Sequence, residues 1–230
     1  MVVEVTRTDD GSDTLFCRDL NQHYHSTFGA VQESMHIFIE SGFLHTIRKF
    51  HPDPGNYRPF MKIIEIGFGT GLNALLTQAE VEKHGIRVLY TALEAFPLEE
   101  KSWGLLNYPH LFGSVDYTRV FDNLHHAAWN ETVEISPFFT LQKIHGSLET
   151  FHPTGQNHLV YFDAFGPDAQ PELWTEKIFR DLFLGMSTGG ILVTYSVKGN
   201  VVRALKSAGF LVEKLPGPPG KRHILRAVKN

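Results

Sequence analysis

Cysteine is nearly absent: Cys17 is the only one among 230 residues, which excludes a disulfide framework and a cysteine-rich zinc module. No apolar run approaches the ~18 residues that a membrane-spanning helix needs. The opening sixteen residues carry Glu4, Asp9, Asp10 and Asp13 and lack the basic-then-apolar order of a secretory signal. Internal repeats and low-complexity tracts are missing, and 42% hydrophobic with 12% aromatic residues rules out a disordered chain. What is left is enough chain for one domain with a packed core, expected in the reducing cytoplasm.

Other chemistries lack their residues. The thirteen histidines include His23-x-His25 and His125-His126, but neither pair has the helical i, i+4 spacing or the nearby Cys/Asp/Glu cluster that zinc needs, so no metal is expected. Cys17 has no obvious base, and no Gly-x-Ser-x-Gly elbow occurs. Charge is present but uneven. Residues 198–230 hold eight Lys/Arg against the single acid Glu213, a net +7 within a chain of −4. A basic tail on an acidic body is one way to meet a polyanion, and an ordinary solvated helix and edge strand is the other reading.

A break falls at 51–59, where three prolines and a glycine interrupt any regular element. Before it stands an N-terminal extension, 1–58, with an amphipathic run at 41–50. After it, residues 59–230 alternate between strand and helix. Apolar runs at 62–66, 88–93, 138–144, 158–162, 190–195, 210–215 and 223–228 predict strands. Leu72, Leu75, Leu76 and Ala79 predict a helix stopping near Gly85, and Val201 to Ala208 predicts another stopped by Gly209. Helices are also expected near Pro97 and from Pro171, the latter carrying Trp174, Ile178 and Leu182 on one face. The segment after Leu215 is too short for a helical crossover, so the last strand is expected to be antiparallel. Residues 101–137 fit the alternation poorly and suggest an inserted cap. The pattern is that of an α/β domain with a mostly parallel, seven-stranded sheet covered on both faces.

The strongest motif is Glu65-Ile66-Gly67-Phe68-Gly69-Thr70-Gly71-Leu72-Asn73, at a predicted strand-to-helix junction. Glycines there allow a sharp turn and bring backbone N–H groups close to a ligand. A dinucleotide site expects Gly-x-Gly-x-x-Gly; the spacing here, Gly-x-Gly-x-Gly, is closer to the loop that holds S-adenosylmethionine. Glu94, at the end of the next strand, is placed to accept hydrogen bonds from ribose hydroxyls. Gly146 and Ser147 follow the 138–144 strand, where an adenine edge could be read or the chain could simply turn. Asp163 follows the 158–162 strand and should share that rim, which makes it the catalytic candidate.

Taken together, the glycine motif, Tyr161-Phe162-Asp163-Ala164-Phe165 with Pro171-x-x-Trp174, and Gly217-Pro218-Pro219-Gly220-Lys221-Arg222 resemble one family. It is the methyltransferase half of the bacterial bifunctional enzyme that completes 5-methylaminomethyl-2-thiouridine at the tRNA wobble position. Gly29-Ala30-Val31-Gln32-Glu33 resembles its N-terminal block more loosely. The resemblance implies a class I S-adenosylmethionine-dependent methyltransferase fold, Rossmann-like, and N-methylation of 5-aminomethyl-(2-thio)uridine. It implies that Glu65, Gly67, Phe68, Gly69, Thr70, Gly71, Asn73, Glu94, Gly146, Ser147 and Asp163 hold the cofactor, with Asp163 at methyl transfer. It also implies that Lys198, Lys221 and Arg222 contact an anticodon arm. Tyr24, Phe165, Trp174 and Tyr195 could stack a base, although Trp174 reads better as core. Ser147 departs from the family, whose members often carry Asp there. The sequence shows no oxidase half, so removal of a carboxymethyl group is expected either from a separate flavin-dependent oxidase or not to be needed. Another amine acceptor, an NAD-type oxidoreductase and a non-catalytic RNA-binding module are the rival readings.

Overall fold

The computed structural model describes residues 2–50, 60–112 and 117–230; the break expected at 51–59, and the boundary at 58/59 with it, lies outside them. The chain opens with β1 (Val3–Arg7), β2 (Asp13–Cys17) and β3 (Gln22–His23), a small antiparallel sheet. A continuous helical stretch follows as α1 (Ala30–Ser34), a π-helical segment (Met35–Leu44) and α2 (His45–Phe50). Next come β4 (Phe60–Ile66), α3 (Leu72–His84), β5 (Arg87–Glu94), α4 (Glu100–Trp103) and α5 (Thr118–His126). The series continues with β6 (Thr132–Ser136), β7 (Phe139–His145), β8 (Asn157–Phe162), α6 (Glu176–Leu184) and β9 (Met186–Thr194). It closes with α7 (Gly199–Ala208), β10 (Leu211–Pro216) and β11 (His223–Val228).

The main sheet has the order β10-β11-β9-β8-β4-β5-β7-β6. Its five central strands, β9 to β7, are parallel, whereas β11 is antiparallel to both β9 and β10. This is one strand more than the seven expected. The addition is β6, which pairs antiparallel with β7 through a register shift at Glu134/Ser136. Its five residues Thr-Val-Glu-Ile-Ser are exposed or half-buried, so no apolar run announces it.

Period-two alternation sorts the central strands onto two cores. Met61, Ile63, Leu159, Tyr161, Ile191 and Val193 face α3, α5 and the helical run from α1 to α2. Ile64, Ile66, Val160, Phe162 and Leu192 face α6 and α7. The helical run from α1 to α2 therefore forms part of one covering layer, packed on β8, β9 and α3. In the 101–137 segment, Trp103, Leu106, Tyr108, Phe121 and Leu124 join the same core.

Two helices differ from expectation. The one near Pro97 begins only at Glu100 and lasts four residues. Pro171 opens a 3₁₀ turn instead, and α6 starts after Thr175, whose Oγ1 accepts the Ile178 N–H. Trp174 thus precedes α6, where it is buried and donates from Nε1 to the Phe165 carbonyl at 2.8 Å. Among the described residues no helix is long and apolar enough to cross a membrane.

Candidate functional site

The carboxyl ends of β4, β5, β7 and β8 open onto a cavity of about 640 Å³, a volume suited to a small molecule. Strands β8, β4 and β5 finish side by side: the Asp163 N–H donates to the Ile66 carbonyl at 3.0 Å, and the Gly67 N–H to the Leu93 carbonyl at 2.9 Å. At Gly67, with φ +88°, a Cβ would stand 2.8 Å from the Asp163 carbonyl oxygen. Only glycine lets the two chains meet this closely. Gly71, with φ +73°, then turns the chain into α3 and has no space for a Cβ beside His125 Nε2. That imidazole lies 3.1 Å from the Thr70 carbonyl and is stacked on Trp103. Burial lowers its pKa to about 3, so it stays neutral and can donate to the loop.

Glu94 ends β5 with both oxygens used from the protein side. Its Oε2 accepts the Gly69 N–H at 3.0 Å, and its Oε1 the Phe96 N–H at 2.8 Å. Each oxygen keeps a second lone pair, so ribose hydroxyls can still be accepted. Gly146 and Ser147 lie on the adjacent wall, where Ser147 Oγ accepts the Glu149 N–H at 3.2 Å in a local turn.

Asp163 is tied into a buried polar chain. Asn73 Nδ2 donates to Asp163 Oδ2 at 2.9 Å and to Glu65 Oε1 at 3.0 Å, which spends both amide hydrogens. Burial pushes both carboxyls well above the usual range; nearby Glu33 adds to the effect at Asp163, and Asp163 adds to it at Glu65. The loop after Asp163 is pinned by two side-chain donors, Tyr195 Oη to the Ala164 carbonyl at 2.8 Å and Trp174 Nε1 to the Phe165 carbonyl.

Of the cofactor set expected from sequence, Gly67, Phe68, Gly69, Thr70, Asn73, Glu94, Gly146, Ser147 and Asp163 line this cavity. Glu65 and Gly71 do not; both stand behind the wall, supporting Asn73 and the start of α3. Lys221 reaches the cavity and pairs with Glu33, Arg222 is exposed beside it, and Lys198 is paired with Asp168 outside the lining. Residues that sequence reasoning did not assign to the pocket come mostly from the N-terminal region. His25, Phe28 and Glu33 line it, and Tyr24 covers Gly69 and meets Phe165 edge-on at 4.9 Å. His25 and Phe28 carry no local motif, Glu33 falls in the loosely matching Gly29–Glu33 block, and Tyr24 is marked only as an aromatic that could stack a base.

Residues 130–230 match the sequence family described as S-adenosyl-L-methionine-dependent methyltransferase. Similar curated proteins include two called tRNA 5-methylaminomethyl-2-thiouridine biosynthesis bifunctional protein MnmC. The one from Pseudoalteromonas atlantica is 29% identical over 89% of this chain, and the one from Magnetococcus marinus 30% identical over 90% of it. This chain is similar to one part of each of those proteins. It spans about a third of those proteins' length, 30% and 31%. Among solved structures, MNMC2 from Aquifex aeolicus matches with a TM-score of 0.79 at 24% identity, covering 98% of this chain and 70% of that one. A spermidine synthase from Thermotoga maritima matches with a TM-score of 0.52 at 13% identity, covering 100% and 72%. The fold is that of the class I S-adenosylmethionine-dependent methyltransferases.

The lining of this methyltransferase fold suits S-adenosylmethionine. Gly67, Phe68, Gly69 and Asn73 line the cavity beside Glu94, which keeps lone pairs for ribose, and the carboxyls suit a cationic sulfur. A pyrophosphate would find Lys221 as the only Lys or Arg among the described lining residues, and Glu33 already neutralises it. Metal-binding groups of three or more His, Cys, Asp or Glu are absent among the described residues.

Two outcomes are expected. Gly67→Ala should lose about 1–3 kcal/mol of stability through strain at its positive φ, read from denaturant unfolding, and lose S-adenosylmethionine binding in calorimetry. Glu65 has a raised folded pKa, so its contribution is full below the unfolded value of 4.5 and is lost as pH rises through the folded one. Glu65→Gln should therefore gain thermal stability relative to the parent at pH 8 and little at pH 4. The gain is ~1.4 kcal/mol per unit of raised pKa.

Proposed function

We propose that this chain transfers a methyl group from S-adenosylmethionine to the primary amine of 5-aminomethyl-(2-thio)uridine at the wobble position of tRNA. The observation that carries the reading is Asp163, a half-buried carboxyl held against the glycine turn by Asn73. The names of the bifunctional relatives support the choice of acceptor. A cytoplasmic location accords with that substrate.

Bound S-adenosylmethionine would supply an electrophilic methyl on a cationic sulfur. The remaining work falls to the chain. An alkylamine is protonated near neutral pH and must lose a proton before its nitrogen can form the new bond. Asp163, its pKa raised by burial and by Glu33, is a stronger base than a solvated carboxylate and suits that transfer. Asn73 engages Oδ2 and leaves Oδ1 for an amine N–H, which also orients the nitrogen. Tyr24, Phe165 and Tyr195 make aromatic walls that exclude water around this point. Outside the cavity, Arg222 is exposed on the rim, and with Lys198 and Lys221 it is assigned to phosphates.

The test incubates the protein with labelled S-adenosylmethionine and tRNA from cells lacking the modification, then digests the product to nucleosides. Label should appear in 5-methylaminomethyl-(2-thio)uridine; binding of NAD instead of S-adenosylmethionine in calorimetry would overturn the reading. Asp163→Ala should still bind S-adenosylmethionine and lose about 100-fold or more in single-turnover methylation. Arg222→Glu should weaken tRNA binding and reduce the slope of log affinity against log salt by about one.

A further inference from the structure

Glu33 is the buried acid of the cavity wall that the scheme above leaves without a direct task. It sits in α1, whose first turn is held from outside: Gln32 N–H donates to Asp10 Oδ2 at 2.9 Å, and Ala30 N–H to Ser12 Oγ at 3.1 Å. The Glu33 side chain is 9% exposed. Its Oε2 accepts the Ser26 N–H at 2.7 Å. Its Oε1 lies 2.8 Å from Lys221 Nζ yet accepts no aligned hydrogen bond among the described residues. The same Nζ stands 5.4 Å over the Tyr195 ring. A primary alkylammonium of the protein's own thus occupies a carboxylate-and-aromatic niche on the wall that Asp163 shares. The contact neutralises a buried carboxylate, which would be costly alone, but leaves its best acceptor direction open.

We propose that Glu33 is the specificity-determining carboxylate for the acceptor's amine, and that Lys221 holds its place until the acceptor arrives. Lysine and an aminomethyl group present the same chemistry, a primary ammonium on a methylene carbon. Lys221 leaves from a turn between β10 and β11, its side chain is 27% exposed, and exposed Arg222 follows it. A phosphate at the rim would draw the lysine outward, and the incoming ammonium would replace it at Oε1 with better alignment. From there the amine can give its proton to Asp163. The inference rests on the amine-acceptor reading, and it predicts opposite effects for the two members of one ion pair.

The experiment compares the parent protein, Glu33→Gln and Lys221→Met, each saturated with S-adenosylhomocysteine. Calorimetry measures affinity for 5-aminomethyluridine and for its uncharged analogue 5-methyluridine; methylation kinetics with tRNA run in parallel. The parent should prefer the amine, and Glu33→Gln should lose about tenfold or more of that preference, the value of a charge-assisted hydrogen bond. Lys221→Met should bind 5-aminomethyluridine more tightly while its KM for tRNA rises. If Glu33→Gln fails to fold, the Lys221→Met arm alone decides. Weaker binding of both nucleosides by Lys221→Met would mean a structural bridge and overturn the proposal, as would an unchanged preference in Glu33→Gln. A parent that methylates no amine on tRNA or nucleoside removes the functional reading itself, whereas a parent that methylates tRNA with Glu33 indifferent removes only this inference.

Discussion

The site depends on two neighbouring parallel strands that end together with almost no space between them. The Asp163 N–H bonds to the last carbonyl of β4, and Gly67 passes the Asp163 carbonyl at a distance no side chain would permit. This contact sets a distance that loops could not hold alone: the turn that suits a nucleoside and the carboxyl that suits an amine come from different strands, yet share one rigid edge. Tyr195 and Trp174 then fasten the residues just past Asp163 from the far side. Placing reacting groups on a stiff frame is worth several kcal/mol in orientation, up to roughly 7–11 in the best cases.

The electrostatics follow from what that edge buries. Glu65 is buried and Asp163 half-buried near Glu33; Glu33 opposes ionisation of Asp163, and Asp163 opposes that of Glu65. Such an arrangement is costly in an empty protein and becomes favourable once positive charge enters. Sulfonium and ammonium are both cations, so the cavity is arranged for what the proposed reaction brings to it. Asn73 mediates the compromise: one amide donates to two carboxyls and leaves its own Oδ1 without a partner among the described residues. Stability is given up here to hold a carboxyl poised higher than a surface aspartate.

Much of the cofactor half was legible in the sequence, because its information is local. Glycines at 67, 69 and 71 must adopt positive φ, and all three do. Apolar runs buried on both faces announced β4, β5, β8 and β9. Where burial is one-sided or the element short, the signal fails. The half-exposed β6 carries no run, α4 lasts only four residues, and Trp174 has the helical spacing of α6 although Thr175 caps that helix after it. Glu65 shows a different limit: the motif includes it, but only the fold reveals that it faces Asn73 behind the wall.

On the far wall of the cavity single residues could be named from the sequence, such as Lys221 and the Gly29–Glu33 block, but not their meeting, and the reason is architectural. His25, Phe28 and Glu33 come from the chain around β3 and α1, while Lys221 comes from the turn between the last two strands. These segments are almost 190 residues apart and meet only because β11 inserts beside β9 and the N-terminal helices cover that part of the sheet. Gly220, whose Cβ would collide with the Phe28 ring, marks how closely they approach. A fold built this way can keep its cofactor loop fixed while acceptor choice is rewritten in two loops, since neither loop contributes to the central parallel pairing. On the proposed function, substitutions around 28–33 and 217–222 should alter which amine is accepted without loosening the nucleoside cradle, and the glycine motif by itself carries no information about the acceptor.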